Sequence, residues 1–366
     1  MSRHILSSLA ALLALAAPVA AQQTGGGAEV SAGAAWSSTR GAIVSIGLEG
    51  ENILQSGIDL GLEYREGEKG QDGRLRLRYV HEMGDTRLGT DTRLILSGLH
   101  SRSNWDDDGY ATARSRLGLA VSARVAPQIR VQGGVFWQED SIDDIEIDTS
   151  PLILAEQGHS DTAGIELTLS FGEIDHRQLP GHGQMLDLTW TNAFAGDRHF
   201  DSLEMNAVIA RRPAPDWALS VRLGGGAIEA RDGQSLSIHD RAFLGGKAPR
   251  GFGIGGVGPR DYLADVTDTA LGGSRYVLAS VELRRDISER FMMGAFVDAG
   301  SVWKLDGAPV GAGGPVDDSY DLRSAAGLSL YWTTGLGIVN VSFAAPLSHR
   351  EHDSLNRVSL NLISSF

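Results

Sequence analysis

The chain has 366 residues, 47 of them glycine and none cysteine, and a formal net charge of −14. The acidic balance argues against nucleic acid as a partner, and the lack of cysteine excludes a disulfide framework or a cysteine-ligated metal. Mean hydropathy is −0.11, a value that soluble proteins share with membrane barrels, whose lipid-facing and lumen-facing residues alternate and average out.

The N-terminus reads as an address. Arg3 and His4 precede an apolar run from Ile5 to Ala17, and Val19-Ala20-Ala21 supply small residues for cleavage. That pattern predicts a secretory signal peptide over 1–21, too short for a transmembrane helix, with the mature chain starting at Gln22 and running 22–366. No later apolar stretch approaches 18 residues, so no membrane-spanning helix is expected.

Beyond the leader the dominant hydrophobic period is two. Ile58, Leu60, Leu62 and Tyr64 alternate with Asp59, Gly61, Glu63 and Arg65, and Leu117, Leu119, Val121 and Ala123 continue the pattern further on. Sixteen strands are expected in chain order: 27–36, 41–50, 57–66, 73–82, 91–101, 110–125, 128–140, 160–174, 184–194, 200–211, 216–230, 274–286, 291–303, 321–333, 337–346 and 356–366. Their length suits tilted spans of a bilayer, and Trp36, Tyr64, Tyr79, Trp137, Trp217, Trp303 and Trp332 gather at strand ends as interfacial aromatics do. The competing architecture is a large soluble β-sandwich or propeller. In the membrane reading the fold is an all-β, sixteen-stranded antiparallel transmembrane barrel with both termini in the periplasm. Short connections such as Ala126-Pro127 and Pro213-Ala214-Pro215-Asp216 fall on the periplasmic side, and long ones (141–159, 231–273, 304–320, 347–355) on the outer side. Phe366, closing a strand read back through Ser364, Leu362, Leu360 and Val358, is the expected C-terminal assembly signal of an outer-membrane barrel.

The sixth outer loop holds L-G-G-K-A-P-R-G-F-G-I-G-G-V-G-P-R-D-Y, Leu244 to Tyr262. Gly253, Gly255 and Gly258 satisfy a G-x-G-x-x-G dinucleotide fingerprint, but no buried strand precedes them and no helix follows, so that match carries no weight. Four segments instead point to one family. They are F-L-G-G-K-A-P-R-G-F-G-I-G-G-V-G-P-R-D, A-L-G-G-S-R-Y-V-L-A-S-V-E-L with Glu282, G-A-F-V-D-A-G-S-V-W with Asp298 and Gly300, and L-R-S-A-A-G-L-S-L-Y-W followed by a strand ending A-A-P-L. In order and spacing this half, about 243–366, resembles the BamA/TamA superfamily, the bacterial surface antigen family; E-N-I-L-Q-S-G-I-D-L-G-L-E-Y in the first half matches more loosely.

The resemblance implies that the sixth loop folds into the barrel lumen and that Arg250 pairs there with Glu282 and Asp298. Gly251, Gly245, Gly246 and Gly300 would give room, and Phe252 would pack on the inner wall. Strand parity agrees, since Val277, Ala279, Val281 and Leu283, and Met293, Ala295, Val297 and Ala299, would face lipid. The implied function is assembly, insertion or translocation of outer-membrane proteins, in contact with outer-membrane lipid and lipopolysaccharide, with nascent barrels or a separate periplasmic protein as partners and with no cofactor. The Gly- and Ala-rich first strand, Ala28 to Trp36, would close weakly on the sixteenth, either as a seam that opens sideways or as a weak closure without gating. Three features depart from the family pattern. No room for periplasmic POTRA domains is expected before strand 1, Pro249 replaces an aliphatic or aromatic residue, and strand 16 lacks glycine.

Because of the expected lack of POTRA domains, a passive pore or structural barrel stands as the alternative. An enzyme is not expected. His159, His176, His182, His199 and His239 are scattered through predicted loops or turns, and no G-x-S-x-G occurs. The acidic run Glu139 to Asp148 reads as a solvated loop, or less simply as a Ca²⁺ site beside lipopolysaccharide.

Overall fold

A computed structural model describes residues 28–37, 41–50, 58–67, 73–105, 109–146, 149–175, 179–263, 267–334 and 337–363. The signal-peptide expectation and Phe366 lie outside these residues. Sixteen strands form one antiparallel sheet in chain order. Numbered along that sheet they are β1 (Ala28–Ser37), β2 (Gly41–Gly50), β3 (Ile58–Gly67), β4 (Gly73–Thr86), β5 (Gly89–Trp105), β6 (Tyr110–Ala126), β7 (Ile129–Asp143), β8 (Gly158–Ile174), β9 (Gly183–Gly196), β10 (Phe200–Ala214), β11 (Trp217–Ala230), β12 (Arg275–Ser288), β13 (Phe291–Trp303), β14 (Arg323–Thr334), β15 (Gly337–Ser348) and β16 (Val358–Ile363). The ends of the order, β1 and β16, lie beside each other, although no ladder joins them among the described residues.

The period-two pattern becomes two chemically distinct faces. On β13, Phe291, Met293 and Val297 are exposed while Phe296 and Asp298 are buried. The register of β12 on β13 sets Val281 opposite Val297 and Ser280 opposite Asp298. A slip of one residue would turn every one of these side chains to the wrong face. Leu117, Leu167, Leu203, Leu223, Leu328 and Phe343 continue the exposed apolar face around the sheet. An apolar exterior of that extent suits lipid contact and would be a liability in water.

The two short turns are two-residue hairpins, the first displaced by one residue from the expected Ala126-Pro127 and the second shorter than expected. Ala126 pairs with Ile129 and Ala214 with Trp217, so each hairpin has a two-residue loop. The connection expected at Pro213 to Asp216 is therefore reduced to Pro215 and Asp216. Pro213, which has no N–H to give to a ladder, is accommodated by the register shift between Arg211 and Ala214.

The long connections are ordered. The 231–273 segment contains the 3₁₀ turn Ile238–Asp240, the two-residue strand Gly251–Phe252, which pairs with Leu355–Asn356, and the hairpin Arg260–Leu263 with Thr267–Ala270. A helical turn, Pro151–Leu154, is N-capped by Ser150. Tyr110, Ile142, Ile153, Ile238, Leu271 and Leu305 form one buried apolar cluster that joins these connections to the strands. The expected 141–159 loop is correspondingly shorter, because β7 reaches Asp143 and β8 starts at Gly158.

Within the acidic run Glu139, Asp144 and Glu146 are exposed, but Asp140 departs from the solvated reading: it is 1% exposed and held by Arg114 and Arg198. Among the described residues no three His, Asp or Glu side chains come together to hold a metal ion.

Candidate functional site

The glycine-rich segment makes a compact turn against the buried face of β12–β15. The N–H of Gly245 donates to the carbonyl of Ala248 at 3.0 Å, and that of Gly246 to the carbonyl of Phe252 at 2.9 Å. Gly251 has φ +96°, and a Cβ there would stand 3.1 Å from Ala325 Cβ and 3.2 Å from Ala344 Cβ. Only glycine meets both demands, a left-handed backbone and contact with the sheet. A Cβ on Gly245 would lie 1.8 Å from the carbonyl oxygen of Gly253, so that turn also closes only without a side chain.

The turn presents Arg250 to the sheet. Its backbone N–H and its Nε both donate to Asp298 Oδ2, at 2.9 and 2.8 Å, and Nη2 donates to Asp298 Oδ1 at 2.9 Å. Nη1 donates to Glu282 Oε1 at 3.1 Å. The two side-chain bonds to Asp298 form the planar fork that guanidinium and carboxylate share, a geometry lysine cannot reproduce. Ser280 and Ser329 accept further bonds, each at 3.3 Å, and the guanidinium carbon lies 3.5 Å from the centroid of the Phe296 ring.

The carboxylates are themselves positioned. Tyr331 donates to Glu282 Oε1 at 2.7 Å, and Ser280 donates to Asp298 Oδ1 at 2.7 Å. Arg284 brings a second positive charge to 4.0 Å from Glu282 Oε2 and donates to the carbonyl of Pro180. Arg222 couples electrostatically to the same group, so three cations, Arg250, Arg284 and Arg222, stand among the carboxylates of Glu282 and Asp298. Such a buried network is stable only while complete, because a lone remaining charge has no water to turn to.

The other expected residues surround this clamp. Phe252 is fully buried with Leu244, Val257, Val302 and Ala325, and Leu355 packs against the group. Gly300 leaves space on β13, where a Cβ would lie 3.1 Å from Leu244 Cδ1 and 3.4 Å from Pro249 Cδ. Pro249 therefore occupies a recess that the missing side chain provides. Gly246, at φ +70°, completes the turn.

Sequence reasoning missed Ser280, Phe296, Ser329 and Tyr331. A signal was present for the first two, which stand two residues from Glu282 and Asp298 and so share their face. Tyr331 and Ser329 lie on β14 within the L-R-S-A-A-G-L-S-L-Y-W segment, two residues apart and so on one face, which is the signal that could have found them.

A second network, also unforeseen, holds the start of the same loop. Asp140 accepts from Arg114 Nε at 2.7 Å and from Gln138 at 2.6 Å, and it is ion-paired with Arg198. Arg198 also binds Asp240 at 2.6 Å, and Arg114 donates to the carbonyl of His239 at 2.8 Å. Burial pushes the Asp240 carboxyl up to about 6, with Arg198 and Arg114 opposing. Burial also takes the His239 imidazole down to about 4, against the attraction of Asp140.

The Omp85 superfamily domain matches residues 27–366. The outer membrane protein assembly factor BamA of Neorickettsia risticii is 26% identical over 280 residues, 74% of this chain and 35% of that protein. The BamA of Neisseria meningitidis serogroup B is 28% identical over 147 residues, 34% of this chain and 18% of that one. The chain therefore spans about a third or less of the length of these relatives. Among solved structures, BamA from Haemophilus ducreyi lacking POTRA domains 1–3 superposes with TM-score 0.77 at 17% identity, over 92% of this chain and 70% of that one. CdiB from Acinetobacter baumannii gives TM-score 0.56 at 15% identity, over 91% and 59% respectively. With its family domain covering nearly the whole length, the chain belongs to the Omp85 superfamily.

Proposed function

We propose that this protein is an outer-membrane barrel that takes part in the assembly, insertion or translocation of outer-membrane proteins. In this reading the sheet closes between β1 and β16 as a sixteen-stranded transmembrane barrel, and the 231–273 loop lies in its lumen. The observation that carries it is the three-donor grip of Arg250 on Asp298, with Glu282 as second acceptor. A long loop bound this way to the buried face of the sheet occupies the interior and is held there. The nearness of β1 to β16 supports closure. The Gly- and Ala-rich sequence of β1 supports a weak seam at which the wall could part.

The exposed apolar face supports contact with outer-membrane lipid and lipopolysaccharide. The curated relatives named as assembly factors support nascent outer-membrane proteins as clients. A separate periplasmic protein is the proposed source of client delivery.

The test is reconstitution in lipid vesicles with an urea-unfolded outer-membrane barrel as client. Faster client folding than in empty vesicles, lost when cysteines in β1 and β16 are joined by a disulfide, supports the reading. No acceleration, together with a large steady conductance, favours a passive pore.

A further inference from the structure

On the exposed, apolar face of the sheet two arginines stand at the end of β10–β12 that carries the 215–216 turn. Arg211 of β10 is paired with Leu219 of β11, and Trp217 of β11 with Arg285 of β12. Period two puts them on the face of the exposed Leu203, Ile209, Val281 and Leu283. Both arginines are themselves exposed. The Arg285 guanidinium carbon lies 5.3 Å from the centroid of the Trp217 ring. Arg211 donates through Nη1 to the carbonyls of Gly183 and Ala210, at 2.9 and 2.8 Å, and through Nη2 to Gln184 Oε1 at 2.7 Å, all neutral acceptors. Its Nε–H and a second Nη2 hydrogen stay uncommitted. Among the described residues neither guanidinium has a carboxylate partner. Their chain neighbours on the opposite face do: Arg212 meets Asp286 at 3.6 Å, and Arg284 meets Glu282 at 4.0 Å.

Two unanswered cations stand out on a chain whose formal net charge is −14. They stand out more on an apolar wall, where a charge is costly unless it reaches a polar layer. In a bilayer, a strand end allows that: a long side chain lays its stem along the wall and puts its head among the headgroups. Trp217 marks the same level, as do Phe291 and Trp332, whose rings stack 6.1 Å apart. Arg211 and Arg285 are two strands apart, so they lie about 10 Å from each other across the sheet. One phosphate between them can be gripped from both sides, each guanidinium offering its oxygens a fork of donors.

We propose that Arg211, Trp217 and Arg285 form a binding site for the phosphodiester of an anionic glycerophospholipid, whose acyl chains lie on Ile209, Leu219 and Leu283. The site rests on the barrel reading, in which the 215–216 turn is periplasmic and this rim meets the inner leaflet. A zwitterionic phospholipid carries the same phosphate, but its ammonium is repelled by the same two cations. Net lipid charge is therefore the discriminating feature.

The test is tryptophan quenching by brominated lipid, on the full chain in phosphatidylethanolamine vesicles. A small share of the lipid is brominated phosphatidylglycerol or, separately, brominated phosphatidylethanolamine. Insertion is read first, by flotation with the vesicles after an alkaline wash. The Trp217 signal is the part of the quenching absent from Trp217→Phe. Expected is a preference for phosphatidylglycerol of about fivefold or more, cut about fivefold by Arg285→Gln. Arg87→Gln, which removes an exposed arginine between β4 and β5, should leave it unchanged, as should inorganic phosphate at matched ionic strength. An inserted chain with no preference, a preference that survives Arg211→Gln and Arg285→Gln, or an equal loss in Arg87→Gln overturns the lipid site and leaves the barrel reading standing. A preference abolished by inorganic phosphate assigns the arginines to free phosphate and overturns the lipid site too. A chain that does not float with the vesicles overturns the barrel reading and the site with it.

Discussion

Arg250 holds Asp298 through three donors, its backbone N–H, Nε and Nη2, all between 2.8 and 2.9 Å. A backbone donor on the same carboxylate means that the bond fixes the path of the loop as well as the direction of the side chain. Arg250→Ala leaves Asp298 and Glu282 without their main counter-charge. The expected loss is about 3–5 kcal/mol, as for removal of one partner from a buried ion pair. It should appear as heat-modified gel migration at a lower temperature and as faster protease cleavage within 244–262. Unchanged migration and cleavage would contradict the clamp.

Gly251 is predicted to tolerate no side chain. Gly251→Ala combines a left-handed φ with contacts at 3.1 and 3.2 Å to two alanine Cβ atoms, and should cost about 1–3 kcal/mol. Gly307 is the control: its φ is +71° but a Cβ there meets nothing within 4 Å, so Gly307→Ala should cost less. Urea midpoints in lipid vesicles compare the two, and equal costs would show that contact with the sheet is irrelevant.

Tyr331→Phe removes the hydroxyl that donates to Glu282 Oε1 at 2.7 Å and leaves the ring in place. A hydrogen bond to a charged acceptor contributes about 1.5–3 kcal/mol. The loss should be much smaller in an Arg250→Ala background, since both side chains act through Glu282. Full additivity in that double-mutant cycle would place Tyr331 outside the network.

The loop neck carries a testable pH signature. The His239 pKa falls from 6.5 to about 4 on folding, so the unfolded chain binds the extra proton in that interval and stability drops as the pH falls from about 6.5 to about 4. The Asp240 pKa rises from 3.8 to about 6, so the folded chain binds the extra proton and stability climbs as the pH falls from about 6 to about 4. In the wild-type chain the two oppose. Asp240→Asn should expose the histidine slope, with stability falling toward pH 4, and His239→Gln should expose the opposite slope. Unfolding midpoints across pH 4–7 that show the same slope in both variants would refute this pairing.

The strands were legible because an exposed apolar face and a buried, more polar one impose a period of two, and parity alone put Glu282 and Asp298 on a common face. Arg250 was legible through its motif. Asp140 was not, because its partners stand 26 and 58 residues away and nothing local distinguishes a carboxylate bound by distant arginines from one in water. The internal ladders of 231–273 were hidden for a related reason. Two-residue strands such as Gly251–Phe252 have no periodicity to detect and exist only because Leu355–Asn356 is brought beside them by the sheet.

Whether Arg250 holds the long loop inside the proposed barrel is read by single-channel recording in planar bilayers. Small, erratic openings are expected for the wild-type chain and large, steady ones for Arg250→Ala. A wild-type chain that conducts as a wide, steady pore, unaltered by Arg250→Ala, would contradict such a hold.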